Sequence, residues 1–270
     1  MTQGEPAKGR DSAGQPPRIF GLELSLLDRE QLIEELLATP RAPDGAKLLA
    51  TVNVDHVVTL RTDQRFREAY DSAWRITVDG APVYLYARAS GIPLPGRVTG
   101  ADLFASLIDR WDPAQHRLYM LVANEEAAAR MTRRLAERGY DETTLTIEVP
   151  RFGFEKDAAY NEALTARIRA KAPTHIILGL GAPKSEIWAY EHRAALGDAF
   201  ILCVGAAIEF ATGLKQRSPL FMRRVGMEWM WRFGTEPRRL FHRYFIRSFG
   251  FILAMLADRP GTAAVPGRRD

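Results

Sequence analysis

Residues able to do chemistry stand at the ends of short apolar runs in this 270-residue chain. Thr51, Asn53, Asp55 and His56 close the run that begins at Lys47, and Asp79 with Gly80 closes the run Arg75–Val78. Asp79 could be a general base held at the mouth of a sheet, or it could cap a helical stretch opening at Pro82. Asn53 or Asp55 could likewise cap the helix that follows them. Further on, Gly179 and Gly181 precede Pro183, Lys184, Ser185 and Glu186 on a strand-to-helix turn. Backbone N–H groups at such a turn can receive a phosphate, although a tight turn with no ligand reads equally from the same residues. The third glycine of a dinucleotide fingerprint is missing, and the spacing is not that of a P-loop. Gly205 and Glu209 follow a fourth apolar run, Ala199–Gly205.

Metal chemistry has no comparable signal. Asp55 and His56 are adjacent, the chain has no H-x-x-x-H or Cys/His spacing, and no D-x-D pair offers a carboxylate clamp for a metal–nucleotide complex. No cofactor is expected. His116, His175, His192 and His242 stand alone and read as structural.

The C-terminal segment is of a different kind. Residues 215–247 hold nine Lys/Arg against two Glu, a net of +7, in a chain whose total is only +4. Arg239, Arg243 and Arg247 recur every four residues, one stripe of a helix, beside Leu240, Phe241, Tyr244 and Phe245. A basic stripe beside an aromatic one is the composition of an interfacial membrane helix, and also of a helix that packs its aromatics on a core. The charge asymmetry points to an anionic partner: a membrane surface, nucleic acid or a phosphate-bearing substrate.

The elements that must position these residues alternate. Strands are expected at Lys47–Val54, Arg75–Val78, Arg117–Ala123, Thr144–Pro150, His175–Gly179 and Ala199–Gly205. Helical patterns fill 29–38, 64–73, 82–90, 101–111, 125–138, 157–172 and 183–196. Continuous Val/Ile/Leu runs suit a parallel sheet covered on both faces, so the fold class is α/β, a Rossmann-like doubly wound, mostly parallel sheet. Such sheets bind ligands beyond the carboxyl ends of their strands, where the polar residues cluster. The expected organisation is a disordered leader (1–18), a catalytic domain (19–213), a helical basic-aromatic appendage (214–257) and a disordered tail (258–270). At 46% hydrophobic and 26% charged residues the composition is globular, which excludes disorder and collagen. The single cysteine, Cys203, excludes a disulfide scaffold and suits a reducing compartment. The first 18 residues lack the apolar core of a signal peptide, and the longest late apolar stretch, Phe249–Ala257, is about half a bilayer span.

Taken in order, the motifs resemble the WecG/TagA/CpsF family of bacterial glycosyltransferases, glycosyltransferase family 26. The matching residues are Thr51-Val52-Asn53, Asp79-Gly80, the run Gly91 to Leu103, the run Gly179 to Glu186, Val204 to Glu209, Ser218-Pro219, Gly226 to Arg232 and Glu236 to Arg239. The resemblance implies an inverting, metal-independent transfer of a hexose or N-acetylhexosamine. The sugar would pass from a UDP-sugar to a polyprenyl-diphosphate-linked sugar in surface polysaccharide synthesis, on a peripheral enzyme at the cytoplasmic face of the inner membrane. It implies Asp79 as base with Thr51 and Asn53 nearby. Substrate contacts would come from Arg97, Gly179, Gly181, Lys184, Ser185, Gly205, Glu209, Arg232 and Arg239. Membrane contacts would come from Phe241, Arg243, Tyr244, Phe245 and Arg247. A nucleic-acid partner is not implied, and a homo-oligomer is compatible with it. The chain departs from the family at three points: Ser185 stands for the glutamine of K-Q-E, Ala206 and Glu209 stand in G-G-x-x-D, and N-V-D-H replaces N-P-E. Two rival functions remain at this stage, a nucleotide-cofactor oxidoreductase on the same sheet and a non-catalytic binder using only the basic segment.

Overall fold

The computed structural model describes residues 17–38, 45–219, 221–222, 227–235 and 247–260. A small antiparallel hairpin, β1 (Arg18–Ile19) and β2 (Leu22–Glu23), leads into α1 (Arg29–Ala38) and β3 (Lys47–Val52). Then come α2 (Val54–Leu60), α3 (Gln64–Asp71), β4 (Arg75–Val78), α4 (Ala81–Ala89), α5 (Gly100–Arg110), β5 (Leu118–Leu121) and α6 (Glu125–Ala136). β6 (Leu145–Glu148), α7 (Ala158–Lys171), β7 (His175–Leu178), α8 (Lys184–His192), β8 (Phe200–Cys203) and α9 (Ala207–Ala211) complete the body. Helices Glu228–Thr235 and Arg247–Ala257 follow.

β3 to β8 form one six-stranded sheet in the order β4-β3-β8-β7-β5-β6, with every pairing parallel. Alternation along each strand sends Leu49, Met120, Ile177 and Leu202 into one core layer, with Leu103, Phe104, Leu107 and Ile108 of α5. Leu48, Tyr119, Leu121, Ile176, Leu178 and Ile201 enter the layer on the opposite face, with Leu164 and Ile168 of α7 and Trp188 of α8. Burying each such side chain contributes about 1.5–3 kcal/mol. Helices therefore cover both faces, as the expected doubly wound class requires.

Helix starts follow from capping chemistry. Asp63, Asn124 and Asp157 each accept a backbone N–H at the start of α3, α6 and α7. The strands are shorter than their apolar runs because backbone turns begin before the apolar residues end. β3 stops at Val52, and Val54 already belongs to α2.

The helix Arg247–Ala257 packs on the body. Phe251 and Ala254 are buried in the layer that also holds Ile19, Phe20, Leu22 and Val57. Gly250 lies so close to α2 that a Cβ would stand 3.0 Å from Val58 Cγ1. Asp258, placed by sequence in a tail, accepts the backbone N–H of Phe20 at 2.8 Å, and Arg18, placed in the leader, is part of the hairpin. Arg18 and Asp258 thus belong to the packed body, and the Phe20–Asp258 bond ties its two ends together. No helix among the described residues is long and apolar enough to cross a membrane.

Candidate active site

The carboxyl ends of β4, β3, β8 and β7, four neighbours in the sheet, open into a cavity of about 700 Å³. Thr51, Asn53, Asp79, Arg97, Gly179, Gly181, Gly205 and Glu209 all line it, so most of the residues singled out in the sequence come together.

The β3 end is held by a buried polar network. Asn53 caps α2, its Oδ1 accepting from the N–H of Asp55 (3.0 Å) and of His56 (3.2 Å). The Tyr70 hydroxyl donates to the Thr51 carbonyl at 2.6 Å, and His56 Nδ1 lies 2.7 Å from the same oxygen. That carbonyl accepts, so the network assigns the proton of His56 to Nδ1. Nε2 is then left facing Asn53 Nδ2 at 3.5 Å. Thr51 and His56 are buried, and no turn can tilt the strand end without breaking these bonds.

At the β4 end the backbone N–H of Asp79 donates to Val52 O at 3.0 Å. The cap position of α4 is Gly80, so Asp79 stands one residue before the cap position that its place before Pro82 allowed. A Cβ there would stand 3.1 Å from Asn53 Cβ, so any larger residue would press on the start of α2. Arg97 is carried by a loop pinned to β4: Val98 N–H donates to Val78 O (3.0 Å), and the Thr77 hydroxyl donates to Val98 O (2.9 Å). Thr99 then caps α5 and donates its hydroxyl to Asp102 at 2.8 Å.

At the β7 end Gly179 packs against Ile208, and Gly181 has φ +84, a left-handed turn that favours glycine. The turn delivers Glu186 to the cavity wall, but not Lys184 or Ser185. Lys184 Nζ is 3.6 Å from Glu155 and lies over the rings of Phe152 and Phe154. Ser185 is buried, with an unpartnered hydroxyl. Consecutive residues of a helix point about 100° apart, so three neighbours in a motif cannot face one ligand. Glu209 is in the cavity, its Oε2 2.6 Å from Lys215 Nζ.

Sequence reasoning named His56 and Glu186 within motifs without giving them a site role and did not select Tyr70, Lys215, Arg217 or Glu228, yet all six line or support the cavity. Glu186 had a signal, its place in the glycine turn; Tyr70 had none, since it reaches the site from the middle of α3. Burial pushes the Glu186 carboxyl up to about 7, and its Oε2 has no partner. Burial, and then the charges of Glu186, Cys203 and Asp79, hold the Tyr70 hydroxyl well above its ordinary range. Among the described residues no three His, Cys, Asp or Glu side chains converge as a metal site.

Arg232 falls on the helix Glu228–Thr235, and Arg247 opens the helix Arg247–Ala257. Arg239, Phe241, Arg243, Tyr244 and Phe245 lie outside the described residues.

The arrangement offers a carboxylate, hydroxyls, amides and cations around one cleft at the sheet's carboxyl edge, suited to transferring a group between two polar substrates. Comparison with known proteins agrees. Over 219 residues the chain is 26% identical to the N-acetylglucosaminyldiphosphoundecaprenol N-acetyl-beta-D-mannosaminyltransferase of Bacillus spizizenii, covering 80% of this chain and 83% of that one. Over 196 residues it is 25% identical to a protein of the same name from Staphylococcus aureus, covering 71% and 73%. The model of the glycosyl transferase WecG/TagA/CpsF family matches residues 17–264. With nearly its whole length matched, including every strand that frames the cleft, the chain belongs to the WecG/TagA/CpsF family of glycosyltransferases.

Proposed function

We propose that this glycosyltransferase moves a hexose or N-acetylhexosamine from a UDP-sugar to a polyprenyl-diphosphate-linked sugar, with inversion and without a metal. The acceptor class is supported by the names of the two relatives, which act on an N-acetylglucosaminyldiphosphoundecaprenol. The observation that carries the chemistry is Asp79, which lines the cleft at the carboxyl end of β4. Asp79 takes the proton of the acceptor hydroxyl as that oxygen bonds to the anomeric carbon. The bond from the anomeric carbon to the donor diphosphate breaks, and UDP leaves with the electron pair. Attack from the face opposite the leaving group inverts the anomeric centre. Arg97 lines the same cleft, which supports a role in offsetting charge that develops on the leaving group.

Peripheral attachment to the cytoplasmic face of the inner membrane fits a lipid-linked acceptor. It is supported by the net charge of +7 over 215–247 and by the helix Arg247–Ala257, whose Phe249, Ile252, Leu253 and Leu256 form an exposed apolar stripe opposite Phe251 and Ala254. The test is a panel of UDP-sugars with a short-chain lipid diphosphate N-acetylglucosamine acceptor, reading UDP release and product mass with and without EDTA. Transfer that survives EDTA is expected. No product from any UDP-sugar overturns the donor, and a rate abolished by EDTA and restored by magnesium overturns metal independence.

A further inference from the structure

The cleft is lined by the carboxylates of Asp55, Asp79, Glu209 and Glu228, beside Glu186, whose charge burial disfavours. A diphosphate entering such a site is repelled unless fixed cations meet it. The cationic side chains lining the cleft among the described residues are Arg97, Lys215 and Arg217. The last two come from one stretch of chain just after α9, and each is already anchored. Lys215 Nζ sits 2.6 Å from Glu209 Oε2. Arg217 Nη2 sits 2.8 Å from Asp102 Oδ1, and Asp102 is itself fixed by the Thr99 hydroxyl. The Arg217 guanidinium lies 6.0 Å from the Phe210 ring centre, and its buried Nε has no hydrogen-bond partner. A point charge and a planar fork, both held before a ligand arrives, suit two linked phosphates.

We propose that Lys215 and Arg217 form the diphosphate subsite of the cleft, binding the phosphates of a nucleoside-diphosphate donor. This rests on the donor reading above, and it assigns charge compensation to the wall beside α9 and α5. The competing role is internal: Lys215 and Arg217 would do no more than neutralise Glu209 and Asp102. Single substitutions do not separate the two, because removing Lys215 also leaves Glu209 as a bare anion facing the ligand. Removing each pair together does.

The experiment is calorimetric titration of the full-length protein with UDP, uridine and inorganic pyrophosphate. The proteins compared are wild type, Lys215→Met/Glu209→Gln and Arg217→Met/Asp102→Asn, with Arg217→Lys as a milder variant. Thermal melting checks that each is folded. The expected result is that both double variants bind pyrophosphate about 10- to 100-fold more weakly, the scale of lost hydrogen bonds to charged groups, and that the Arg217 pair loses UDP by the same factor while keeping uridine as in wild type. Arg217→Lys should fall between, and the salt dependence of UDP binding should flatten in both double variants. Should the Arg217 pair melt early, the Lys215 pair decides alone. Double variants that bind UDP as wild type does overturn the subsite and leave the donor intact. A wild type that binds pyrophosphate but not UDP overturns the uridine donor and keeps the subsite. A wild type that binds neither overturns both.

Discussion

Asp79 and Glu186 are two carboxyls of one cleft in different surroundings, and each should report separately. Asp79→Asn keeps shape and removes the base, so kcat should fall about 10²–10⁴-fold with the melting temperature nearly unchanged. A turnover equal to wild type would remove Asp79 from the chemistry. Glu186 tests linkage instead. Its carboxyl ionises near 7 in the folded protein, against an ordinary value of 4.5, because burial disfavours the charge. Between those values the folded state holds a proton that the unfolded chain has released, so this group's contribution to stability is full below 4.5 and is lost as pH rises through 7. Glu186→Gln removes that dependence. Its melting temperature should match wild type near pH 4.5 and exceed it increasingly up to pH 8, where the gap corresponds to roughly 3 kcal/mol. Parallel melting curves across that range would show that Glu186 does not titrate there.

At the scale of elements, the site depends on how closely α4 begins beside β3. Gly80→Val would drive a branched side chain into Asn53, whose Cβ is already 3.1 Å from where a Cβ would stand. Urea unfolding should show a loss of about 1–3 kcal/mol, and kcat/KM should fall as well, because Asn53 and Asp79 are displaced together. Stability lost with kcat/KM intact would mean the chemistry tolerates this shift. The sheet and most helices were legible beforehand because their signals are local: β4 and α1 fall where the pattern put them, and strand ends carry the polar residues. Strands of two residues in the hairpin and the five-residue α9 are too short to show a period. α2, only seven residues long, is missing from the expected helical patterns, although the capping role open to Asn53 or Asp55 pointed to a helix after them. Within the site, Arg97 entered only through the family resemblance, whereas Asp79 and Thr51 were readable from their positions at strand ends. Lys184 and Ser185 were not, because the face of α8 they occupy is set by packing against Phe152, Phe154 and the core. Lys215 and Arg217 carried no motif beyond charge, and only the fold brings them to Glu209 and Asp102.

For the whole molecule, membrane association should separate into charge and apolar parts. Changing Arg243 and Arg247 to Glu should weaken binding to anionic vesicles at low salt, while Leu253→Ser with Leu256→Ser should weaken it at low and high salt alike. Flotation with both sets of variants, beside turnover of a soluble acceptor, is the measurement. Wild-type flotation by every variant would mean that neither surface meets the lipid. The order of the sheet has a consequence of another kind, in the making of the protein. β3–β4 and β5–β6 are made first, yet they touch only through β7 and β8, the last two strands to be synthesised. At ordinary ribosomal speed the first pair waits roughly 6–25 s for its keystone. During that time the inner edges of β3 and β5 are open to wrong partners. A nascent chain stalled just short of His175 should therefore stay sensitive to protease along its length. One stalled far enough beyond Cys203 for that residue to have left the ribosome should become resistant in a single step, and gradual protection from the first strands onward would show instead that the halves fold alone.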